Sequence, residues 1–320
     1  MLLACFVTGL GQAYFGYWRR AVLWATVPLL LDLAFAALVV RFELRALYSW
    51  FIVVAVSAWI LPRILAFVEV RSLAERRQSG AVGVLRLLLF SLGALGFAFA
   101  YAMFEGSRVA EVGLVRSNAM RPTLLKQERL VIDPTAYRSR EVTRGELAVL
   151  DTSDGVRAGV SRVIGLPGDY IELTDGELRV NGWPVPRCVL GQVTLSDSHV
   201  GVIHLEFLGA NAYLTLWNVA RTAPSAWTVA PGEASLLSDN RNDSADVSGA
   251  EIRRVRAELV KGRPLFVFFG LKQDESVDWS RFGLALDRPQ LPNGLEALEP
   301  RLRQCLAARP PRDRTEPPRQ

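Results

Sequence analysis

Four polar, turn-rich stretches carry the residue types that could do chemistry. They are RSNAMRPTL (116–124), TRGELAVLD (143–151), SRVIGLPGDYIELTDGELRVNGWPV (161–185) and SDNRNDSADVS (238–248). Ser117, Ser161 and Ser244 stand in three of them, and Asp239, Asn240, Arg241 and Asp246 crowd the last. Hydroxyls set among ionic groups suit acyl transfer. One hydroxyl attacks a carbonyl, an adjacent base takes its proton, and further donors hold the oxyanion. The base is the part not in evidence. Lys126 lies on the polar far side of the Pro122–Thr123 turn, and Lys261 and Lys272 have no motif around them. His199 and His204 alternate with Val200, Val202 and Ile203, which reads as the polar face of a strand. No Cys or His spacing fits a metal, and no cofactor is implied.

The elements that must position these groups divide in two. Half of the 320 residues are hydrophobic, and most of that excess lies before residue 105. A bilayer-spanning helix needs about 20 mostly apolar residues. Three segments qualify, at 21–40, 50–68 and 87–104. Residues 1–20 contain LLACFVTGLGQAYFGYW, which Gly9, Gly11, Gln12 and Gly16 interrupt; this reads as an interfacial or re-entrant hairpin. LLAC at 2–5 has too short a leader for a lipoprotein signal, so the first span is expected to serve as the uncleaved export signal. Arg19, Arg20, Arg71, Arg76, Arg77 and Arg86 outnumber Arg41 and Arg45 on the other side. By the positive-inside rule the former face the cytoplasm, and the third span delivers the rest of the chain outside. Asp32, inside the first span, is expected to be a packing residue, with Arg63 its nearest candidate partner.

From 105 to 285 the periodicity changes to short alternating or β-branched runs broken by Gly, Pro and Asp. TDG at 174–176 between two such runs predicts a hairpin. The stretch SADVSGAEIRRV is expected to be helical or irregular. The Pro/Arg-rich end, 286–320, is expected to be mostly disordered, apart from a short helix over 293–307. Cys188 and Cys305 are the one pair open outside the membrane, and nothing in the sequence supports joining them.

The four stretches, in this order and behind apolar helices, resemble the type I signal peptidase family. The resemblance runs from about 107 to 270. It implies a multi-span α-helical membrane anchor followed by a mostly β, signal-peptidase-like catalytic-type domain. It also implies a mechanism in which a lysine, kept neutral by burial, activates a serine. Laid on that pattern, Ser117 takes the oxyanion-hole position, Ala119 the nucleophile position and Ser161 the general-base position. Ser244 takes the base-orienting position, and Asp239, Asn240, Arg241 and Asp246 form the polar frame. Met120 and Pro122 are expected to contact the peptide. Ser248 replaces the arginine that would pair with the last aspartate, and Ser238 replaces a glycine.

Both reacting groups are thus replaced while their supports remain. A methyl has no lone pair to attack with, and an unperturbed hydroxyl is not basic near neutral pH. The expectation is an inactive family member in the cytoplasmic (inner) membrane, multi-pass. It would bind signal peptides or exported polypeptides, the lipid bilayer and a membrane protein partner, and no nucleic acid. Two alternatives stay open: a working peptidase with a relocated dyad built on Ser117 or Ser161, and a structural scaffold.

Overall fold

A computed structural model of the chain describes residues 8–76, 84–138, 140–151, 157–174, 177–194, 200–217, 225–241, 253–272 and 275–310. It divides into two compact units, Met1–Glu111 and Val112–Gln320.

The first unit is helical. A short helix α1 (Leu10–Tyr14) is followed by α2 (Trp18–Arg41), α3 (Phe51–Arg76) and α4 (Val84–Arg108). α2 and α4 cover the predicted spans 21–40 and 87–104 with overhangs at both ends, and α3 covers 51–68 of the span 50–68 and runs on to Arg76. Two stretches, Trp18–Arg41 and Leu85–Phe104, are long and apolar enough to cross a membrane. Leu31, Leu88, Leu92 and Phe99 are more than half exposed, so these helices turn apolar side chains outward. The Gly-rich start folds back tightly. Gly9 has φ 93°, and a Cβ there would collide with the Ala21 carbonyl, which only glycine avoids. Gln12, on α1, is fully buried. Its Nε2 donates to Ala66 O of α3 (3.2 Å) and to Glu69 Oε2 (2.9 Å). Glu69 also accepts from Trp24 Nε1 (2.6 Å) and Arg20 Nη1 (2.7 Å) of α2. One carboxylate therefore ties the N-terminal segment to two long helices. Asp32 finds a partner that sequence reasoning did not consider: Tyr101 of α4 donates to its Oδ2 at 2.8 Å. The two residues lie 69 apart, beyond what helical spacing can indicate.

The second unit is β-rich. Its strands are β1 (Glu111–Leu114), β2 (Arg129–Asp133), β3 (Leu147–Asp151), β4 (Arg157–Gly165), β5 (Tyr170–Thr174), β6 (Glu177–Val180), β7 (Trp183–Pro184) and β8 (Arg187–Thr194). They continue with β9 (Val200–Leu208), β10 (Asn211–Trp217), β11 (Ser225–Thr228), β12 (Glu233–Leu237), β13 (Arg253–Arg256), β14 (Val260–Phe269) and β15 (Leu284–Ala285). The main sheet has the order β1-β2-β14-β3-β4-β12-β13, with β15 beside β14. Strands β10-β9-β8 form a second sheet and β11-β5-β6-β7 a third. The expected hairpin is present: Thr174 pairs with Glu177 across β5 and β6. The end of SADVSGAEIRRV is not helical or irregular as expected, because Arg253–Arg256 pairs with β12.

The last part of the chain departs most from expectation. Residues 286–310 pack on the β10-β9-β8 sheet and end in helix α5 (Glu299–Ala307), inside the range predicted for a short helix. Leu302 and Cys305 are buried there, flanked by half-buried Leu291, Leu295, Leu298 and Leu306. Composition hid this because the apolar residues fall on one helical side between prolines and arginines. Cys305 forms a disulfide with Cys188 of β8, with Cα atoms 6.0 Å apart. The cysteines lie 117 residues apart, and only the fold brings them together.

Glu69 is the acceptor for three donors, so Glu69→Ala should remove the one acceptor that Gln12, Trp24 and Arg20 share and destabilise the helical unit by about 1–3 kcal/mol. A detergent-denaturation melt of the full chain checks this. An unchanged melt would show that the hub carries no stability.

Candidate active site

The loop 115–128 is closed at its base. Val115 N donates to Glu128 O and Gln127 N to Val115 O, both at 2.8 Å. Glu128 is a second anchor. It accepts from Leu125 N, and its carboxylate meets Arg281 through Nε at 2.6 Å and Nη2 at 3.1 Å. Arg281 Nη2 also donates to Thr123 O at 2.9 Å. Met120 and Leu124 pin the loop from below, in a core with Leu130, Ile132, Leu147 and Val267. Met120 is 2% exposed and Pro122 is buried, so both side chains serve the core. Ser117 is exposed and Ala119 half-buried; Ala119 N donates to Ser117 Oγ at 3.4 Å.

Segment 239–241 holds this loop from the side. Asn240 N donates to Ala119 O at 2.9 Å, and Asn240 Nδ2 to Asn118 O at 3.2 Å. Asp239, wholly buried, receives the Arg162 fork: Nε to Oδ1 and Nη2 to Oδ2, each 2.6 Å. Thr123 Oγ1 adds a third bond to the same carboxylate at 2.5 Å. Arg162 also donates to Gly145 O at 2.7 Å, and its guanidinium lies 4.1 Å from the Tyr213 ring centre. Ser161, the residue before Arg162 on β4, is 8% exposed and pairs with Ala148 of β3. Arg162, Asp239, Asn240 and the Ala119 carbonyl are therefore joined in series, and Ser161 is the chain neighbour of Arg162 on β4.

Sequence reasoning missed several members of the frame. Leu216 of β10 bonds segment 239–241 on both sides, its N to Asp239 O and its O from Arg241 N, each 2.9 Å. Arg241 pairs with buried Glu206 of β9 at 2.9 Å, and Thr215 Oγ1 donates to Glu206 Oε1. Glu206 lies in HLEFLG, a run with no polar motif, so only the sheet register could have revealed it. Arg144 and Asp169 were legible as parts of the TRGE and LPGD stretches. They form a bidentate pair at 2.6–2.7 Å that fixes the 166–169 turn, where Leu166 N and Asn181 Nδ2 also donate to Asp169. Ser244, Asp246 and Ser248 lie outside the described residues, as does His199. His204, on β9, is 9% exposed beside Trp217. Burial, and secondarily Arg187, pull its pKa below the ordinary histidine value, and Glu206 opposes them. Burial pushes the Tyr213 phenol well up.

Parts of all four stretches thus pack in one β-rich unit, joined by buried ion pairs. The profile of the family described as Signal peptidase, peptidase S26, matches residues 85–269, more than half of the chain. The chain belongs to the signal peptidase family. A probable signal peptidase I-2 of Synechocystis sp. is 39% identical over 80 residues, covering 23% of this chain and 37% of the relative. Signal peptidase I of Leptolyngbya laminosa is 28% identical over 106 residues, covering 31% and 52%. Signal peptidase I of Bacillus licheniformis is 28% identical over 185 residues, covering 58% of this chain and 90% of that one. The chain thus spans only a third to a half of the first two signal peptidases and nearly all of the third.

Two outcomes follow from the frame. Asp239→Ala strands the Arg162 charge in the interior and should cost about 3–5 kcal/mol, read as a lowered denaturation midpoint of the purified protein in detergent. His204 has a depressed folded pKa, so below about pH 6.5 the unfolded state takes up protons that the folded state refuses. Stability should therefore fall as pH drops through and below that value, and His204→Gln should flatten part of that slope in melts recorded from pH 7.5 to 5.

Proposed function

We propose that this protein is a membrane-anchored member of the signal peptidase family that recognises exported polypeptides and has lost the cleavage step. One observation carries the reading. Ala119 occupies the loop that the frame supports, and Ser161 is the buried residue beside Arg162 on β4. On the family pattern these are the nucleophile and general-base positions. The three lysines of the chain, Lys126, Lys261 and Lys272, are all exposed, so none has the apolar enclosure that would keep an amine neutral. Ser117 remains as an exposed hydroxyl suited to hold an oxyanion, and it accepts from Ala119 N rather than facing a base among the described residues. Relocating the dyad onto it would misplace the reacting group, and about 1 Å of misplacement can already cost 100-fold.

Recognition survives this loss. β1 is the end strand of the main sheet and leads directly into the 115–128 loop. Its Val112 and Leu114 are exposed, so its outer side can accept an extended peptide by strand addition. The partners in this reading are signal peptides or exported polypeptides, the lipid bilayer and a membrane protein partner. The long helices anchor the chain as a multi-pass protein of the cytoplasmic (inner) membrane, with 19–20 and 71–86 on the cytoplasmic side. The Cys188–Cys305 disulfide supports an outward-facing second unit, because disulfides persist in oxidising compartments.

The solubilised full chain should bind a signal peptide, by fluorescence anisotropy, and leave a preprotein uncut. Ala119→Ser combined with Ser161→Lys should restore slow cleavage, because position 161 is buried enough to desolvate an amine; neither change alone should do so. Processing by the unmodified protein, abolished by Ser117→Ala, would reverse the reading in favour of a relocated dyad.

A further inference from the structure

We propose that the Cys188–Cys305 disulfide is a redox-addressed clasp on the site frame. Closed, it holds α5 over the β10-β9-β8 sheet; opened by a dithiol, it releases α5 and loosens the segment that grips the Ala119 loop. The inference does not depend on whether the site cleaves peptides.

Two features of the sheet carry it. One side packs Leu190, Val193, Ile203, Leu205, Leu214 and Leu216 against Leu302 and Cys305 of α5. The other side carries Glu206, which pairs with Arg241, and Thr215, which donates to Glu206. Leu216 belongs to both. Its side chain lies in the cluster under α5, and its backbone N–H and C=O bond Asp239 and Arg241. Asn240, between those two, holds the Ala119 carbonyl. Three links therefore join the helix to the loop: α5 to Leu216, Leu216 to the segment around Asn240, and Asn240 to Ala119.

The covalent link is what keeps α5 in place. A helix of nine residues is marginal on its own in water. The polar ties of this segment are exposed: Arg301 Nε of α5 to Val189 O of β8 at 3.1 Å, and Arg309 Nη2, just past the helix, to Gly209 O in the β9–β10 turn at 3.4 Å. The contact is also close, since a Cβ at Gly191 of β8 would press into Leu298 just ahead of the helix. Cys188 is half-buried while Cys305 is 2% exposed, so attack falls on the Cys188 sulfur. A thiolate of the dithiol bonds Cys188 Sγ and displaces Cys305 as a thiolate, which takes a proton. The second thiol of the reagent then displaces Cys188. The reagent leaves as a disulfide, two electrons have moved to the protein, and both cysteines end as thiols.

The test uses the full chain in detergent. Maleimide labelling of the denatured, aerobically purified protein should find one free thiol among its three cysteines. On adding dithiothreitol, amides of Glu299–Ala307 should exchange about tenfold faster, and those of Leu216 and Asp239–Arg241 should rise with them, about threefold or more. Cys188→Ser should show the fast pattern without reductant and be indifferent to it. If that variant does not accumulate, the comparison of the unmodified protein with and without reductant still decides. Three reactive thiols at the outset would overturn the clasp. So would exchange over α5 that reduction leaves unchanged, or an opened α5 with no change at 239–241.

Discussion

The buried fork of Arg162 on Asp239 is the constraint from which the rest of the second unit follows. A charged pair this far from water is stable only if the geometry is good and the remaining donors and acceptors are filled. Here Gly145 O takes the third guanidinium nitrogen, Thr123 gives a hydroxyl to the carboxylate, and Tyr213 covers the cation. Each of those groups comes from a different segment. β4, the 115–128 loop, the 238–241 segment and β10 must therefore arrive together, and once they do the loop has no freedom to drift. The Arg281–Glu128 pair repeats the device at the other end of the same loop.

The proposed loss of the reacting groups would leave this shape undisturbed. Among the described residues neither the Ala119 nor the Ser161 side chain takes part in the Arg162–Asp239 lattice, so the residue type at either position does not decide whether it forms. Selection on folding would preserve Arg162, Asp239 and Thr123 even where selection on turnover had ceased. Family membership, established by a match over residues 85–269, is accordingly a statement about this lattice and its sheets.

Much of the architecture was legible in advance because it rests on local signals. Unbroken apolar runs gave the long helices, alternating runs gave β2, β5, β6 and β9, and Asp-Gly gave the β5–β6 hairpin. The identity of the frame residues was legible where the frame used motif positions, as with Asp239, Arg241 and the Arg144–Asp169 pair. What stayed hidden depends on long-range register. Glu206 is an acid inside an apolar strand, and its partner is 35 residues away. Tyr101 meets Asp32 only because two helices pack at matching depths. Cys188 and Cys305 meet only once a Pro/Arg-rich tail has turned its leucines onto a sheet. The burial of Met120, beside position 119, was equally hidden, because only the fold of the loop turns it into the core.

The Glu69 hub bears on the order in which the chain can be assembled. Gln12 and Trp24 are synthesised 57 and 45 residues before the carboxylate that satisfies them. Until α3 has been laid down beside α2, the Gly-rich opening segment has no acceptor for its buried amide and no reason to fold back. The segment around Gln12 is thus among the last of its unit to settle, and a chain halted before residue 69 would leave that segment unanchored.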